Sequence, residues 1–267
     1  MSLRLTILGS GSAGNCALIE TPEETILVDA GFSGLQIKRR MESVGASPER
    51  IDAILVTHEH KDHTQGIKPI TRKHNTPVYC NRLTKEAIER SLSMELRAQI
   101  FETGHRFPIG GLEVESFPIS HDAYDPVGYI VQASGVAVGF LTDLGHVTKA
   151  TLDRLRLVDA LILETNYDPD LLESDLRRPW SAKQRTASRH GHLSNAAAGE
   201  VLRELVSPRL RHVFLAHLSR DCNREDLALE ALQTALTNTS SPPPKLHLTY
   251  QEKPTTPIVI ETSEGGL

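Results

Sequence analysis

Ile51-Asp52-Ala53-Ile54-Leu55-Val56-Thr57-His58-Glu59-His60-Lys61-Asp62-His63 is the stretch whose reading decides this chain. Its first half is an apolar run rich in Ile and Val, the pattern of a buried strand. Its second half sets three imidazoles and a carboxylate, His58, His60, Asp62 and His63, within six residues. A strand ending in such a turn delivers its donors at the carboxyl edge of a sheet, where open α/β sheets bind ligands. Nitrogen and oxygen donors of this kind suit Zn, Mn or Fe. A polar loop that is merely rich in histidine is the plain alternative. Four donors launched from a buried strand outweigh it.

Outward from this stretch the chain alternates strand and helix patterns. Strands are expected at residues 4–8, 16–20, 24–29, 77–80, 112–117, 128–132, 136–141, 158–165, 211–216, 246–249 and 258–260. Helices are expected at 33–44 (stopped by Gly45), from 62 towards 73, opening at 84–87, at 148–157, from Ser194 or Asn195 onward, and at 224–236. Residues 158–165 echo 51–58 class by class, which raises an internal duplication of a β-α-β half. Further polar donors stand at strand ends: Asp29, His121, Asp143 and His217. Asp29 either orients the metal loop from behind or caps a turn. Gly9-Ser10-Gly11-Ser12-Ala13-Gly14-Asn15 reads as a hairpin turn first and as an anion cradle second. Residues 177–192 lack apolar periodicity and carry Arg177, Arg178, Lys183, Arg185, Arg189, His190 and His192 around Trp180. A solvated loop and a nucleic-acid-tracking loop fit that composition equally.

Composition sets bounds. A chain of 267 residues buries a substantial core, and no boundary signal divides it, so a single domain over 1–267 is expected. The net charge of −5 argues against a general polyanion-coating protein and leaves room for a local basic surface. Cys16, Cys80 and Cys222 show no paired spacing, which fits a reducing compartment. Met1-Ser2-Leu3-Arg4 has no signal-peptide shape, and no apolar run is long enough for a bilayer. A cytoplasmic location without membrane association is the expectation.

Asp29, His58-x-His60-x-Asp62-His63, His121, Asp143 and His217, in that order, resemble the metallo-β-lactamase superfamily across nearly the whole chain. The resemblance implies an α/β fold, an αββα sandwich of two mixed β-sheets flanked by helices. It implies two divalent metal ions, Zn or Mn with Fe as an alternative: one held by His58, His60 and His121, the other by Asp62, His63 and His217, with Asp143 bridging both. Within the superfamily, three segments are similar to the WalJ/YycJ group of cytoplasmic proteins associated with exonuclease activity on DNA. They are Gly9-Ser10-Gly11-Ser12-x-Gly14-Asn15, Gly191-His192-Leu193-Ser194-Asn195 and Leu215-Ala216-His217-Leu218-Ser219-Arg220-Asp221. His190 departs from the pattern expected before Gly191, so only His192 is carried over.

Two ions roughly 3.5–4 Å apart hold a hydroxide between them and neutralise phosphoryl oxygens during in-line attack. Asp62 is then both ligand and acceptor of the water's second proton. His192 is the candidate proton donor or phosphate contact; a plain helix-capping loop is its bland reading. Ser194, Asn195, Ser219 and Arg220 are candidate substrate contacts, with Ser12 and Asn15 weaker ones. A phosphodiesterase acting on DNA is favoured. A small-molecule metallohydrolase (lactone, thioester or cyclic phosphodiester) shares the same metals. A nucleic-acid-binding or scaffold protein stabilised by metal, without turnover, is the third class.

Overall fold

The computed structural model describes residues 2–262. The chain opens with β1 (Ser2–Gly9), β2 (Cys16–Glu20), β3 (Thr25–Val28), α1 (Gly34–Ser43), β4 (Ala53–Leu55), α2 (Lys61–Thr64) and α3 (Ile67–His74). Then come β5 (Val78–Cys80), α4 (Arg82–Leu92), β6 (Ala98–Ile100), β7 (Arg106–Ile109), β8 (Leu112–Pro118) and β9 (Val127–Ala133). It continues through β10 (Val136–Leu141), α5 (Lys149–Leu155), β11 (Ala160–Glu164), α6 (Pro169–Ser174), α7 (Trp180–Thr186) and α8 (Asn195–Leu205). It closes with β12 (His212–Ala216), α9 (Glu225–Ala235), β13 (Lys245–Leu248) and β14 (Ile258–Glu261). Two mixed β-sheets flanked by helices result, the expected α/β class. Among the described residues no helix is long and apolar enough to cross a membrane.

The chain falls into two compact units. The first takes Met1–Pro118, Ala123–Val136 and Tyr250–Leu267. Its main sheet runs β14-β1-β2-β3-β4-β5-β6, antiparallel as far as β3 and parallel from there to β6. Strands β7, β8 and β9 form an antiparallel meander. Leu8, Leu18, Leu27, Ile54 and Val56 share one core cluster with Phe32, Ile37, Met41, Ile67 and Ile70. Burying each such aliphatic side chain contributes about 1.5–3 kcal/mol. Helix α1 begins where expected because Ser33 and Gln36 form a capping box, and it stops before Gly45 at φ +76°.

The second unit takes Ile119–Asp122 and Ala137–Thr249. Strands β10, β11, β12 and β13 run parallel in that order, and the first three are buried along nearly their whole length. Helix α8, capped by Ser194, packs on α9, with Gly199 facing Ala231 and Ala235.

The echo between residues 51–58 and 158–165 has a structural counterpart. Asp52 N–H donates to Thr25 O at 2.8 Å, and its carboxylate accepts from Thr25 N at 2.8 Å. Asp159 does the same to Ala137, at 2.7 and 2.8 Å. Each aspartate thus clasps the start of the neighbouring parallel strand.

Several expectations differ from what folds, among them the helix from 62 towards 73, which is broken into α2 and α3 at Gln65–Gly66, and α6, which was not expected. The segment 177–192 is not all loop, because α7 occupies its middle without burying a single residue; a helix lacking an apolar face leaves no periodic signal. Helix α4 begins at Arg82, ahead of the expected opening at Thr84, because Asn81 caps it by accepting from Thr84 N. Strands β6 and β7 were not expected: the first is largely exposed and the second contains Pro108, as edge strands allow.

Candidate metal centre

In the first unit, Asp29 directs the turn that follows β4. It lies at φ +60°, a left-handed conformation costly for a residue with a Cβ. Its carboxylate accepts from Thr57 N–H at 2.9 Å and lies 2.7 Å from His63 Nδ1. Thr57 Oγ1 lies 3.0 Å from His58 Nδ1. With Nδ1 engaged on both rings, His58 and His63 present Nε2 as the donor nitrogen. His58 Nε2 comes within 3.0 Å of His60 Nδ1. Neighbouring tetrahedral ligands with bonds of about 2.0 Å sit only slightly farther apart, at roughly 3.3 Å. Asp62 is half-buried, with Oδ2 3.6 Å from His63 Nε2.

The glycine-rich turn between β1 and β2 is the scaffold for this loop. Asn15 N–H donates to Asp62 O and Ala30 N–H to His63 O, both at 2.8 Å. A Cβ on Gly31 would stand 1.7 Å from Asp62 O, so only glycine lets the two backbones touch. Asn15 itself is buried. Its Oδ1 accepts from Gly11 N, while Nδ2 lies 3.1 Å from His63 Nε2 and 3.5 Å from Asp62 Oδ2.

In the second unit, Asp143 follows β10 at φ +59° and His217 follows β12 at φ +56°. Both sit at carboxyl ends of parallel strands, as the sequence suggested, and both are buried. The end of β11 supplies a residue that sequence reasoning missed, Glu164, which is fully buried. Its Oε1 lies 2.8 Å from His192 Nδ1 and 2.9 Å from His217 Nδ1. Its Oε2 accepts from Leu144 N at 2.9 Å and Leu193 N at 3.2 Å. Burial works to raise the Glu164 pKa, but the two imidazoles outweigh it and hold the carboxyl below the usual carboxylate range. A signal existed: in the strand echo, Glu164 stands where Thr57 stands, one residue before the end.

Asp143, Glu164, His192 and His217 each turn one donor atom to within 4.8 Å of the others. His121 is buried with Nδ1 3.2 Å from Gly191 O. Burial lowers its pKa below the ordinary histidine value, against the pull of Asp143, which favours the neutral ring that binds metal. His192 is held by its own backbone, N–H to Thr186 O at 2.9 Å. A Cβ on Gly191 would stand 2.2 Å from both Arg185 O and Thr186 O.

The remaining sequence candidates divide by exposure. Ser12 and Arg220 are exposed. Ser194 caps α8, accepting from Ala197 N, and Ser219 accepts from Cys222 N. Asn195 departs from the expected substrate contact: it is buried and its amide exchanges hydrogen bonds with Asn223 at 2.8 and 2.9 Å. The basic segment is less basic than its composition. Arg177 and Arg178 pair with Asp175 and Asp221, and Arg185 pairs with Asp122. Trp180 is 68% exposed.

Residues 24–217 match the model of the β-lactamase superfamily domain. The chain is a metallo-β-lactamase-fold hydrolase. This metallohydrolase is 35% identical over 238 residues to exodeoxyribonuclease YycJ of Bacillus anthracis, covering 88% of this chain and 90% of that protein. It is 35% identical over 232 residues to exodeoxyribonuclease WalJ of Streptococcus pneumoniae, at 85% and 86% coverage. The crystal structure of YhfI from Bacillus subtilis, a metallo-β-lactamase fold protein, superposes with a TM-score of 0.73 at 17% identity. It covers 96% of this chain and 99% of its own, and so shares the fold. The chain belongs to the YycJ/WalJ group of these hydrolases, and its donors suit divalent metal ions. In each unit, imidazoles engaged at Nδ1, among them His58, His63, His121 and His217, have Nε2 as the ring nitrogen that remains for a metal.

Proposed function

We propose that the chain is a two-metal phosphodiesterase that degrades DNA from an end, with residues 1–267 working as one domain. The observation that carries this reading is the 35% identity to two exodeoxyribonucleases across most of both chains. The ligand assignment is the one implied by the superfamily: His58, His60 and His121 for one ion, Asp62, His63 and His217 for the other, and Asp143 for both. Zn or Mn fits these nitrogen and oxygen donors, with Fe as an alternative. When bound, such ions activate water near neutral pH and offset charge on the phosphoryl oxygens.

The chain's own residues do the rest. Asp29 and Thr57 fix the tautomers of His63 and His58 through Nδ1. The Asp62 carboxylate would accept the second proton of the attacking water. His192 is oriented by Glu164 at Nδ1, and its Nε2 gives a proton to the leaving oxygen. Arg220 and Ser12, both exposed, are the proposed contacts to phosphate oxygens of the strand. Loaded with Mn or Zn, the protein should shorten 5′- or 3′-labelled DNA progressively. Hydrolysis of lactones or thioesters with intact DNA would replace this reading by a small-molecule hydrolase.

A further inference from the structure

Tyr124 is 63% exposed on the loop between β8 and β9. An exposed tyrosine usually sits on a loose loop, but this one is fixed from three sides. Its N–H donates to Glu59 Oε1 at 3.0 Å, and Glu59 stands between His58 and His60. The next residue, Asp125, accepts at its carbonyl from Asn81 Nδ2 at 2.6 Å. Its carboxylate accepts from Thr103 Oγ1 at 3.0 Å. Asn81 is itself locked as the cap of α4. The last turn of that helix places the Arg90 guanidinium over the Tyr124 ring, 5.5 Å from its centroid. Arg90 is exposed and makes no ion pair among the described residues. Of the acids on this loop and helix, Asp125 faces Thr103, Glu59 Oε1 faces the loop backbone and Glu89 pairs with Lys85, while the exposed Glu86, one turn before Arg90, makes no ion pair with it.

An aromatic ring open to solvent on a clamped backbone, with a guanidinium over it, has the chemistry to receive a nucleotide base. We propose that Tyr124 and Arg90 form a base-stacking platform for a single-stranded polynucleotide, set beside the metal loop through Glu59. A base stacks on the open part of the phenol ring, and the guanidinium meets the adjoining phosphate while packing on the ring. Lone surface aromatics occur without function. Here the backbone clamp from inside the His-Glu-His motif fixes the platform relative to two ligand histidines. The proposal rests on the polynucleotide reading above and names the element that grips the strand.

The test uses the metal-loaded protein and a phosphorothioate single-stranded oligonucleotide that resists cleavage. Tyr124→Leu should weaken binding roughly 5- to 100-fold, the range for losing one stacked base, while Tyr124→Phe and Tyr124→Trp bind like the unsubstituted protein. Arg90→Ala should reduce the salt dependence by about one phosphate contact. In the unsubstituted protein, an abasic residue at one position along the strand should weaken binding. At that position the Leu variant should lose no more. Indifference of the unsubstituted protein to abasic residues at every position would overturn the platform without reference to any variant. An undiminished loss in Tyr124→Leu on the abasic strand would also overturn it, by showing that the ring positions the loop. An unsubstituted protein that neither binds nor cuts DNA would remove the nuclease reading itself, and the platform with it. Cleavage with normal binding in Tyr124→Leu would remove the platform alone.

Discussion

His192 Nδ1 lies 2.8 Å from Glu164 Oε1, so a partly exposed imidazole is backed by a fully buried carboxylate. The contact fixes the ring and leaves Nε2 as its outward nitrogen. If that nitrogen protonates the leaving oxygen, His192→Ala should keep its metals and lose roughly 10²–10⁴-fold in rate. The defect should shrink on phosphodiesters with good leaving groups, which need no proton. Equal losses on good and poor leaving groups would make His192 a phosphate contact instead. His58→Ala, at a proposed ligand, should lose metal and activity together by elemental analysis and turnover.

Glu164 serves two rings with one oxygen, since Oε1 also lies 2.9 Å from His217 Nδ1. Removing a carboxylate behind a ligand histidine typically costs 10–100-fold in metal affinity or activity. Glu164→Ala should therefore combine weaker metal retention under a chelator with a rate defect, where His192→Ala shows only the second. Normal metal retention in Glu164→Ala would confine its role to His192.

Gly31 is predicted to be irreplaceable for a reason unrelated to chemistry. A Cβ there would stand 1.7 Å from Asp62 O and 2.5 Å from Asn15 N, both backbone atoms that cannot rotate away. Gly31→Ala should cost about 3 kcal/mol, the upper end of overpacking penalties, because the ligand loop must shift. Thermal unfolding and metal content should fall together. A melting temperature within a degree of the parent protein would show that the loop yields freely.

The sequence made the loop from His58 to His63 legible as a candidate metal site because four donors at the end of an apolar strand have few other readings. His121, Asp143 and His217 were legible only as members of that set; singly, each is a polar residue at a strand end. The left-handed backbone at Asp29, Asp143 and His217 was not legible, since Asp and His are enriched at φ near +60° yet still adopt negative φ at most positions. Tertiary hydrogen bonds impose it. Glu164 escaped notice because a single carboxylate ending an apolar strand looks like the strand's boundary. The basic segment misled in the other direction. Its arginines counted as cationic surface, yet Asp175, Asp221 and Asp122 take up three of them, and pairing across the fold leaves no trace in composition.

The last prediction concerns pH, away from the metal loops. His212 Nδ1 lies 3.0 Å from His247 Nε2 across β12 and β13, and the His247 ring stacks on Phe214 with centroids 4.6 Å apart. Burial lowers both histidines, assisted for His212 by Arg211 and Lys245; the His247 value falls to about 4, with His212 and Lys245 adding to burial. A histidine depressed in the folded state binds its proton more readily when unfolded. Its contribution to stability is therefore complete above about pH 6.5 and is lost as pH falls from there towards 4. His247→Gln retains a polar partner for His212 but does not titrate, so its stability should fall less steeply between pH 7 and 5, by at most one proton's worth of slope. Denaturant unfolding of the two proteins at matched pH, with metal content equalised, reads the difference. Parallel pH profiles would show that the pair is already protonated in the folded protein or solvated enough to behave as it does unfolded.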